Sequence, residues 1–348
     1  MSSDERSPST GPSRSAPASW RQGRRAGVEP PPEYRWQRAA QPAERRPGFS
    51  RRRLRNLVWL LLSAGLLALL IYFLLFAPRR SPLVAIAAVY NQPLPPNAWV
   101  QEDLEALRQL DKRTLSVYGG LDDWTSGERG MRLLDQHLRR ISPRLRPSEP
   151  LLLYVNVHGA VDGAGNPCLI PPGAAAGRSE TWLPVRQLLE RLKDPALLPA
   201  EVNKLVLLDC TRLRVHWPLG ILENTFAARL ERVVEEVQVP NLVVLSASGP
   251  GEASCVSREL SGSVFGHYLS LGLAGAANRA EPGQAPDGRV SLRELHAYLT
   301  KSVGAWAQRH RGESQQPTLI PANAADFDLG MALSGRDLRR FREQLERS

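Results

Sequence analysis

The chain has 348 residues, 23% of them charged, and a formal net charge of +10. Most of that charge lies in residues 1–55, which hold thirteen Arg, no Lys and five acidic residues, so residues 56–348 carry only +2. A folded part with so little excess positive charge does not indicate a nucleic-acid-binding surface, and we expect no nucleic-acid partner.

Residues 1–55 form a basic, proline-rich tail. Eight prolines and almost no aliphatic side chains leave too little apolar surface to offset the entropy of an unfolded chain, which predicts disorder. Because many arginines precede an apolar segment, the tail could also contact anionic lipid headgroups.

Residues 56–78, NLVWLLLSAGLLALLIYFLLFAP, contain no charged side chain and are long enough to span a bilayer. A cleaved signal peptide is the weaker alternative, because fifty-five residues precede this apolar run. The basic flank before the run is longer than the pair Arg79-Arg80 after it. This predicts a single-pass protein with a cytoplasmic tail and its folded domain on the far side of the membrane.

The remaining residues alternate strand-like and helix-like segments, which predicts an α/β fold with a mostly parallel central sheet flanked by helices. We assign one domain to residues 81–330 and a charged carboxyl-terminal helix to residues 331–348. The predicted strands are 82–90, 114–120, 151–159, 204–210 and 241–248, with half of a small hairpin at 168–172. The predicted helices are 99–110, 127–141, 181–192, 219–237, 263–277 and 291–310.

The apolar run 151–159, LLLYVNVHG, is typical of a strand buried on both faces. It places His158 at the carboxyl end of a central strand, the edge at which ligands bind in open α/β sheets. Asp209-Cys210 and Ser246–Ser248 end two other predicted strands, so these polar groups are expected to converge.

His158 and Cys210 are 52 residues apart, close to the His–Cys separation of caspases. A thiol is mostly protonated at neutral pH, so a nearby imidazole that accepts the proton would activate Cys210 as a nucleophile. His158 and Cys210 are therefore the candidate catalytic dyad.

Taken together, LLLYVNVHGA, CLIPP, KLVLLDC, VVLSASGPGEAS, GSVFGHYLSLGLAGAA and DGRVSLRELHAYLTKSVGAW followed by QQPTL resemble a caspase-like domain of the bacterial, metacaspase-related type. The resemblance covers most of residues 82–321. It implies a cysteine endopeptidase acting on proteins or peptides, with a preference for cleavage after Arg or Lys through acidic groups in the specificity pocket.

The family pattern around the nucleophile reads Asp-x-Cys, whereas this chain reads Asp209-Cys210-Thr211. If Asp209 takes the aspartate position, Thr211 occupies the nucleophile position, and the one-residue shift turns Cys210 to the opposite face of the strand. The alternative function is then an inactive caspase-fold module that binds or senses at a membrane.

Three acidic residues are candidates for substrate binding: Asp209, Asp162 in a glycine-flanked turn, and Glu252 in the loop after the last predicted strand. The alternative for Asp162 is turn formation and for Glu252 solvation of a loop. Residues 283–294 lack the first two carboxylates of a calcium loop, and Ser291 with Glu294 predicts a helix capping box instead.

No cysteine or histidine spacing in the sequence indicates a metal site, and no cofactor is expected. If the domain lies outside the cytoplasm, Cys168 could pair with Cys255 and leave Cys210 free, although connectivity cannot be read from a sequence.

Overall fold

The computed structural model describes residues 51–76, 80–91, 94–120, 124–146, 149–175, 178–216, 220–221, 223–278 and 286–347. The chain divides into two compact units, residues 1–70 and 71–348. Residues 1–50 of the predicted tail lie outside the described residues, so the disorder and the lipid contact of the tail stay predictions.

Helix α1 (Arg51–Phe76) contains the apolar segment. Its stretch Leu54–Ile71 has a mean hydropathy of 2.0 and no residue buried against the protein. Among the described residues it is the one helix long and apolar enough to cross a membrane. The predicted apolar helix is therefore present at this position. The single-pass arrangement and its orientation stay predictions.

The second unit contains thirteen named strands and seven helices among its described residues. The strands are β1 (Ser81–Ala87), β2 (Leu115–Gly120), β3 (Leu151–Asn156), β4 (His158–Val161), β5 (Pro167–Ile170), β6 (Leu183–Pro184), β7 (Lys204–Leu208), β8 (Leu242–Ser246), β9 (Val256–Ser257), β10 (Gly262–Ser263), β11 (Arg289–Ser291), β12 (Thr318–Ile320) and β13 (Asp328–Met331). The helices are α2 (Val100–Arg108), α3 (Gly127–Ile141), α4 (Val185–Lys193), α5 (Phe226–Val237), α6 (Val264–Leu271), α7 (Leu292–Arg311) and α8 (Gly335–Leu345).

Six strands form the central sheet in the order β12-β8-β7-β3-β1-β2. All neighbouring pairs are parallel except β8 with β12, which is antiparallel. Apolar side chains of alternate strand residues fill two clusters, one on each face. Helices α3, α4 and α5 cover one face, and α2, α6, α7 and α8 cover the other. The predicted α/β fold with a mostly parallel sheet between helices is therefore confirmed.

The strand predicted over 151–159 is two strands. The central strand β3 ends at Asn156, the chain bends at Val157, and β4 begins at His158 in a separate antiparallel sheet β4-β5-β6. His158 therefore starts a hairpin strand beside the sheet edge instead of ending a central strand. The hairpin predicted from residues 168–172 is present, since β4 pairs with β5.

The helix predicted over 219–237 is shorter than expected. Helix α5 begins at Phe226, because the side-chain oxygen of Asn224 accepts the Phe226 N–H at 3.1 Å and favours a turn before it. Gly220 and Ile221 are not helical, and Ile221 forms a bridge with His216. Ser291 and Glu294 form the capping box of α7, as predicted.

At the amino end of β7, Lys204 is 1% exposed and its ammonium is surrounded by carbonyl oxygens. It donates to the backbone oxygens of Pro199, Ala200, Val202 and Pro240 at 2.8–3.4 Å. Burial lowers the pKa of Lys204 to about 8. These contacts fix the sheet end opposite to the candidate site.

Candidate active site

His158 is held by a carbonyl on one side and a phenol ring on the other. Its Nε2 lies 2.8 Å from the Pro95 oxygen, and its ring stacks on Tyr90 with centroids 4.2 Å apart. A carbonyl only accepts, so Nε2 carries the proton and Nδ1 keeps its lone pair. Burial lowers the pKa of His158 to about 4, so the ring is neutral at physiological pH.

The hydroxyl of Tyr90 joins β4 to β5 at the point where His158 enters the hairpin. It accepts the His158 N–H at 2.8 Å and donates to the Ile170 oxygen at 2.6 Å. Tyr90 is 3% exposed, and burial raises the pKa of its phenol. One buried hydroxyl therefore satisfies two backbone groups that flank the candidate base.

The backbone brings Cys210 next to the histidine strand, because the Gly159 N–H donates to the Cys210 oxygen at 2.8 Å. A Cβ at position 159 would lie 2.9 Å from this oxygen, so the approach requires glycine. The sequence therefore predicts correctly that His158-Gly159 and Cys210 are neighbours. Whether they act as a catalytic dyad stays a prediction.

The Cys210 thiol points into the protein interior. The residue has no exposed surface, belongs to the apolar cluster beneath α5, and has its Sγ 3.5 Å from the Val155 oxygen. Burial raises the pKa of the Cys210 thiol, so the thiolate is disfavoured. This is the environment expected of a structural cysteine.

Thr211, which takes the nucleophile position if Asp209 takes that of the family's aspartate, is also buried. Its Oγ1 lies 2.7 Å from the Ser248 Oγ, and Ser248 in turn donates to the Glu252 oxygen at 3.3 Å. Thr211 is 4% exposed. These hydrogen bonds connect the segment after β7 with the segment after β8. The Thr211 hydroxyl therefore bonds to another hydroxyl and not to a basic nitrogen that could accept its proton.

Asp209 lies on the opposite face of the strand from Cys210, as the period of an extended chain requires. Its side chain has no exposed surface, and Oδ2 accepts from Arg212 Nη2 at 2.9 Å. The same guanidinium nitrogen lies 3.6 Å from Asp103 Oδ2. The predicted substrate carboxylate is therefore already paired with a cation of its own chain.

Asp103, Asn156 and Arg212 are functional candidates that sequence reasoning missed. Asn156 Nδ2 donates to Asp103 Oδ2 at 3.0 Å and to the Tyr154 hydroxyl at 2.9 Å. The one sequence signal was Asn156, the single polar residue inside an apolar strand. Burial raises the pKa of Asp103 to about 7, although Arg212 opposes this shift.

The other two acidic candidates hold loops. Asp162 Oδ1 accepts the backbone N–H groups of Ala164 and Asn166 at 2.9 and 2.8 Å and so closes the turn between β4 and β5. Glu252 Oε2 accepts the backbone N–H groups of Gly249 and Gln316 at 3.0 and 2.6 Å, which links the loop after β8 to the segment before β12. Their proposed contacts with substrate stay predictions.

A cleft of about 410 Å³ lies over the chain segments that follow β7 and β8. An ion pair between Arg214 and Glu313 forms part of its wall, and Glu252 and the exposed Val215 also line it. Neither His158 nor Cys210 is among its lining residues. A ligand in this cleft would contact the segments that follow β7 and β8 rather than His158 or Cys210.

Cys168, Cys210 and Cys255 are all free thiols, so the pairing of Cys168 with Cys255 is not formed. Among the residues that the structure describes, no group of three or more His, Cys, Asp or Glu side chains could hold a metal ion.

No protein-family model matches the sequence, and no curated protein matches it. Among solved structures, caspase-1 from Spodoptera frugiperda is similar, with a TM-score of 0.45 and 14% identity over 70% of this chain and 89% of that chain.

Proposed function

We propose that this chain is a membrane-tethered, caspase-like module that binds a protein partner without cleaving it. The observation that supports the absence of catalysis is the position of the Cys210 thiol, which is fully buried and directed at the Val155 oxygen in the apolar cluster. A nucleophilic sulfur has to reach the carbonyl carbon of a substrate, and this one has no route to it without leaving the core.

The ionisation of the pair supports the same proposal. A cysteine nucleophile reacts as its thiolate, which an adjacent imidazolium stabilises. Burial raises the pKa of Cys210 and lowers that of His158 to about 4, so both charged forms are disfavoured. A pair that resists both charges is stable as neutral thiol and neutral imidazole at pH 7.

The tether is helix α1. Its apolar stretch Leu54–Ile71 has the length and composition of a membrane span, and we propose that it holds the domain beside the bilayer. The arginines at its amino end favour an orientation with residues 1–50 in the cytoplasm and the α/β domain on the other side.

A cysteine endopeptidase is the second candidate, and one observation favours it. The Pro95 oxygen orients His158 with Nδ1 free to accept a proton, and Gly159 touches the Cys210 backbone. In this mechanism Cys210 sulfur, after losing its proton to His158, attacks the scissile carbonyl. His158 then protonates the leaving amine, and water hydrolyses the thioester.

The two candidates differ in thiol-dependent turnover. Full-length protein in detergent micelles would be incubated with fluorogenic peptides that end in Arg, Lys or Asp, and with electrophilic peptide probes. We expect the wild type and Cys210→Ala to show the same peptide turnover, and we expect the probes not to label Cys210. Half-buried Cys255 should react with a small alkylating reagent. Turnover that is lost in both Cys210→Ala and His158→Ala would refute the proposal and establish the peptidase.

A further inference from the structure

The end of the sheet from which β1 starts is joined to helix α1 by a short stretch of chain. Four residues, 77–80, lie between Phe76 at the end of α1 and Ser81 at the start of β1. The backbone from Phe76 to Ser81 reaches at most about 18 Å when it is fully extended. If α1 spans a bilayer, the amino end of β1 therefore stays within reach of the lipid headgroups. The neighbouring strands β2 and β3 are parallel to β1, so their amino ends lie at this same end of the sheet.

Exposed basic side chains are concentrated here. Six of them lie just before β1, β2 or β3 or in the last turn of α3, and we call this surface the basic face: Arg80, Lys112, Arg113, Arg140, Arg144 and Arg146. Residues 56–348 as a whole carry only +2, so such a group is not a general property of the domain. Two acidic residues, Asp111 and Glu149, belong to the same region. Asp111 is already used within the fold, since its Oδ1 accepts the Val117 N–H at 3.0 Å.

The cations of the basic face do not form salt bridges within the described ranges of the chain, although exposed arginines elsewhere in the domain do. Those salt bridges are Arg132 with Glu128, Arg186 with Glu236, Arg214 with Glu313 and Arg289 with Asp328. Like charges gathered without counter-charges produce a positive potential that attracts anions. The basic face is therefore suited to an anionic partner.

A cleft of about 330 Å³ lies on the basic face, with Arg80 and Arg144 among its lining residues. Arg80 is held in place, because its Nε donates to the Arg113 oxygen at 3.2 Å. This hydrogen bond leaves the N–H groups of both terminal nitrogens to bind a ligand. The other lining residues combine apolar and polar side chains: Pro82, Ser116, Tyr118, Ile141, Leu145 and Glu149. The cleft thus offers two guanidinium groups beside apolar surface.

We propose that the basic face lies on the headgroup layer of a bilayer that contains anionic phospholipid, and that the cleft holds a lipid phosphate between Arg80 and Arg144. A guanidinium can bond two phosphate oxygens at once, which favours phosphate as the anion. The apolar lining favours a phosphate that carries glycerol and acyl groups over free phosphate. This inference rests on the proposed tether α1. It concerns the folded domain and is separate from the lipid contact predicted for the tail.

The first test compares two bilayers. Full-length protein would be reconstituted in nanodiscs of phosphatidylcholine alone and of phosphatidylcholine mixed with phosphatidylglycerol, and amide hydrogen exchange would be followed by mass spectrometry. We expect slower exchange in residues 112–116 and 142–146 in the anionic discs, and equal exchange in residues 256–263 in both. Because exchange is measured segment by segment, lipid binding by the basic tail does not enter this result. Equal exchange of the basic face in both discs would overturn the proposal.

Two triple variants with the same loss of charge control this result. The first removes cations of the basic face, by Arg80→Gln, Arg113→Gln and Arg144→Gln. Each basic residue near an anionic surface contributes about fivefold in binding, so this variant should weaken the contact roughly hundredfold and lose the lipid-dependent protection. The second removes exposed cations from α5, the β9–β10 turn and the last turn of α7, by Arg229→Gln, Arg258→Gln and Arg309→Gln, and should keep it. Equal loss in both variants would make net charge the cause and refute the basic face.

The second test identifies the source of the phosphate. Full-length protein in neutral detergent would be titrated with inorganic phosphate and with short-chain phosphatidylglycerol, with exchange in residues 142–146 as the readout. We expect the lipid to act at a concentration at least about tenfold lower, because its glycerol and acyl groups bury apolar surface. Equal potency would indicate a site for a soluble phosphate compound, and no effect of either would exclude a phosphate site. Both results overturn the proposal.

Failure of the tether and failure of the basic face are distinguishable. Full-length protein that does not enter nanodiscs would refute the tether and this proposal with it. Protein that enters them without lipid-dependent protection of the basic face would refute this proposal alone.

Discussion

Replacing Tyr90 with phenylalanine removes one oxygen and leaves two buried backbone groups without their partner. The His158 N–H loses its acceptor at 2.8 Å, and the Ile170 oxygen loses a donor at 2.6 Å. The ring that stacks on His158 remains. An unsatisfied buried polar group costs about 1–3 kcal/mol, and a buried carbonyl without a donor is tolerated better than a buried N–H without an acceptor, so we expect a loss of about 2–3 kcal/mol.

In a domain of this size, about 2–4 °C of melting temperature corresponds to each kcal/mol, so the expected decrease is about 4–12 °C. Urea unfolding followed by circular dichroism gives the free energy directly. Tyr118→Phe is the matched control, since Tyr118 is half-buried on the edge strand β2. If Tyr90→Phe lowers the free energy of unfolding by less than about 0.5 kcal/mol, or by no more than the control does, the role of the hydroxyl is refuted.

Three further substitutions test other parts of the fold. Gly159→Ala should destabilise the domain by about 1–3 kcal/mol in urea unfolding, because its Cβ would lie 2.9 Å from the Cys210 oxygen, whereas Gly163→Ala has open space and should change little. Lys204→Met should lose one pH dependence in urea unfolding. Because the folded pKa of about 8 lies below the usual 10.5, the unfolded wild type binds more protons at this side chain between these values, so the stability of the wild type should increase relative to that of the variant as pH rises from 8 to 10.5. Ser291→Ala removes the cap of α7 and should cost about 1 kcal/mol by thermal unfolding, with an unchanged melting temperature contradicting the cap.

The sheet could be predicted from sequence because its strands carry local signals. The apolar runs 151–155, 205–208 and 242–245 are continuous, and each lies in a strand that is buried on both faces in the parallel sheet. The same two-residue period implied that Asp209 and Cys210 lie on opposite faces. The opposite directions of these two side chains could therefore be predicted from adjacent residues alone.

Other features depend on contacts distant in sequence. The bend at Val157 was missed because the apolar run continues through it without glycine or proline, and what ends the central strand is the pairing of β4 with β5. Asp103 reads as an ordinary acidic residue in the first turn of an amphipathic helix, and Arg212 as a loop cation. Their meeting depends on how α2 packs against β1, β2 and α6, which no local pattern encodes.

The two ends of the sheet should respond differently to ionic strength. At the amino end, the ammonium of Lys204 is bound by backbone dipoles in a space that dissolved ions do not enter, so added salt has little effect on it. At the other end, Arg214 and Glu313 are 58% and 42% exposed on the cleft wall, and salt screens their attraction. A rise in salt concentration should therefore weaken the ion pair on the cleft wall and leave the contacts of Lys204 unchanged, so the two ends of one sheet differ in their sensitivity to the solvent.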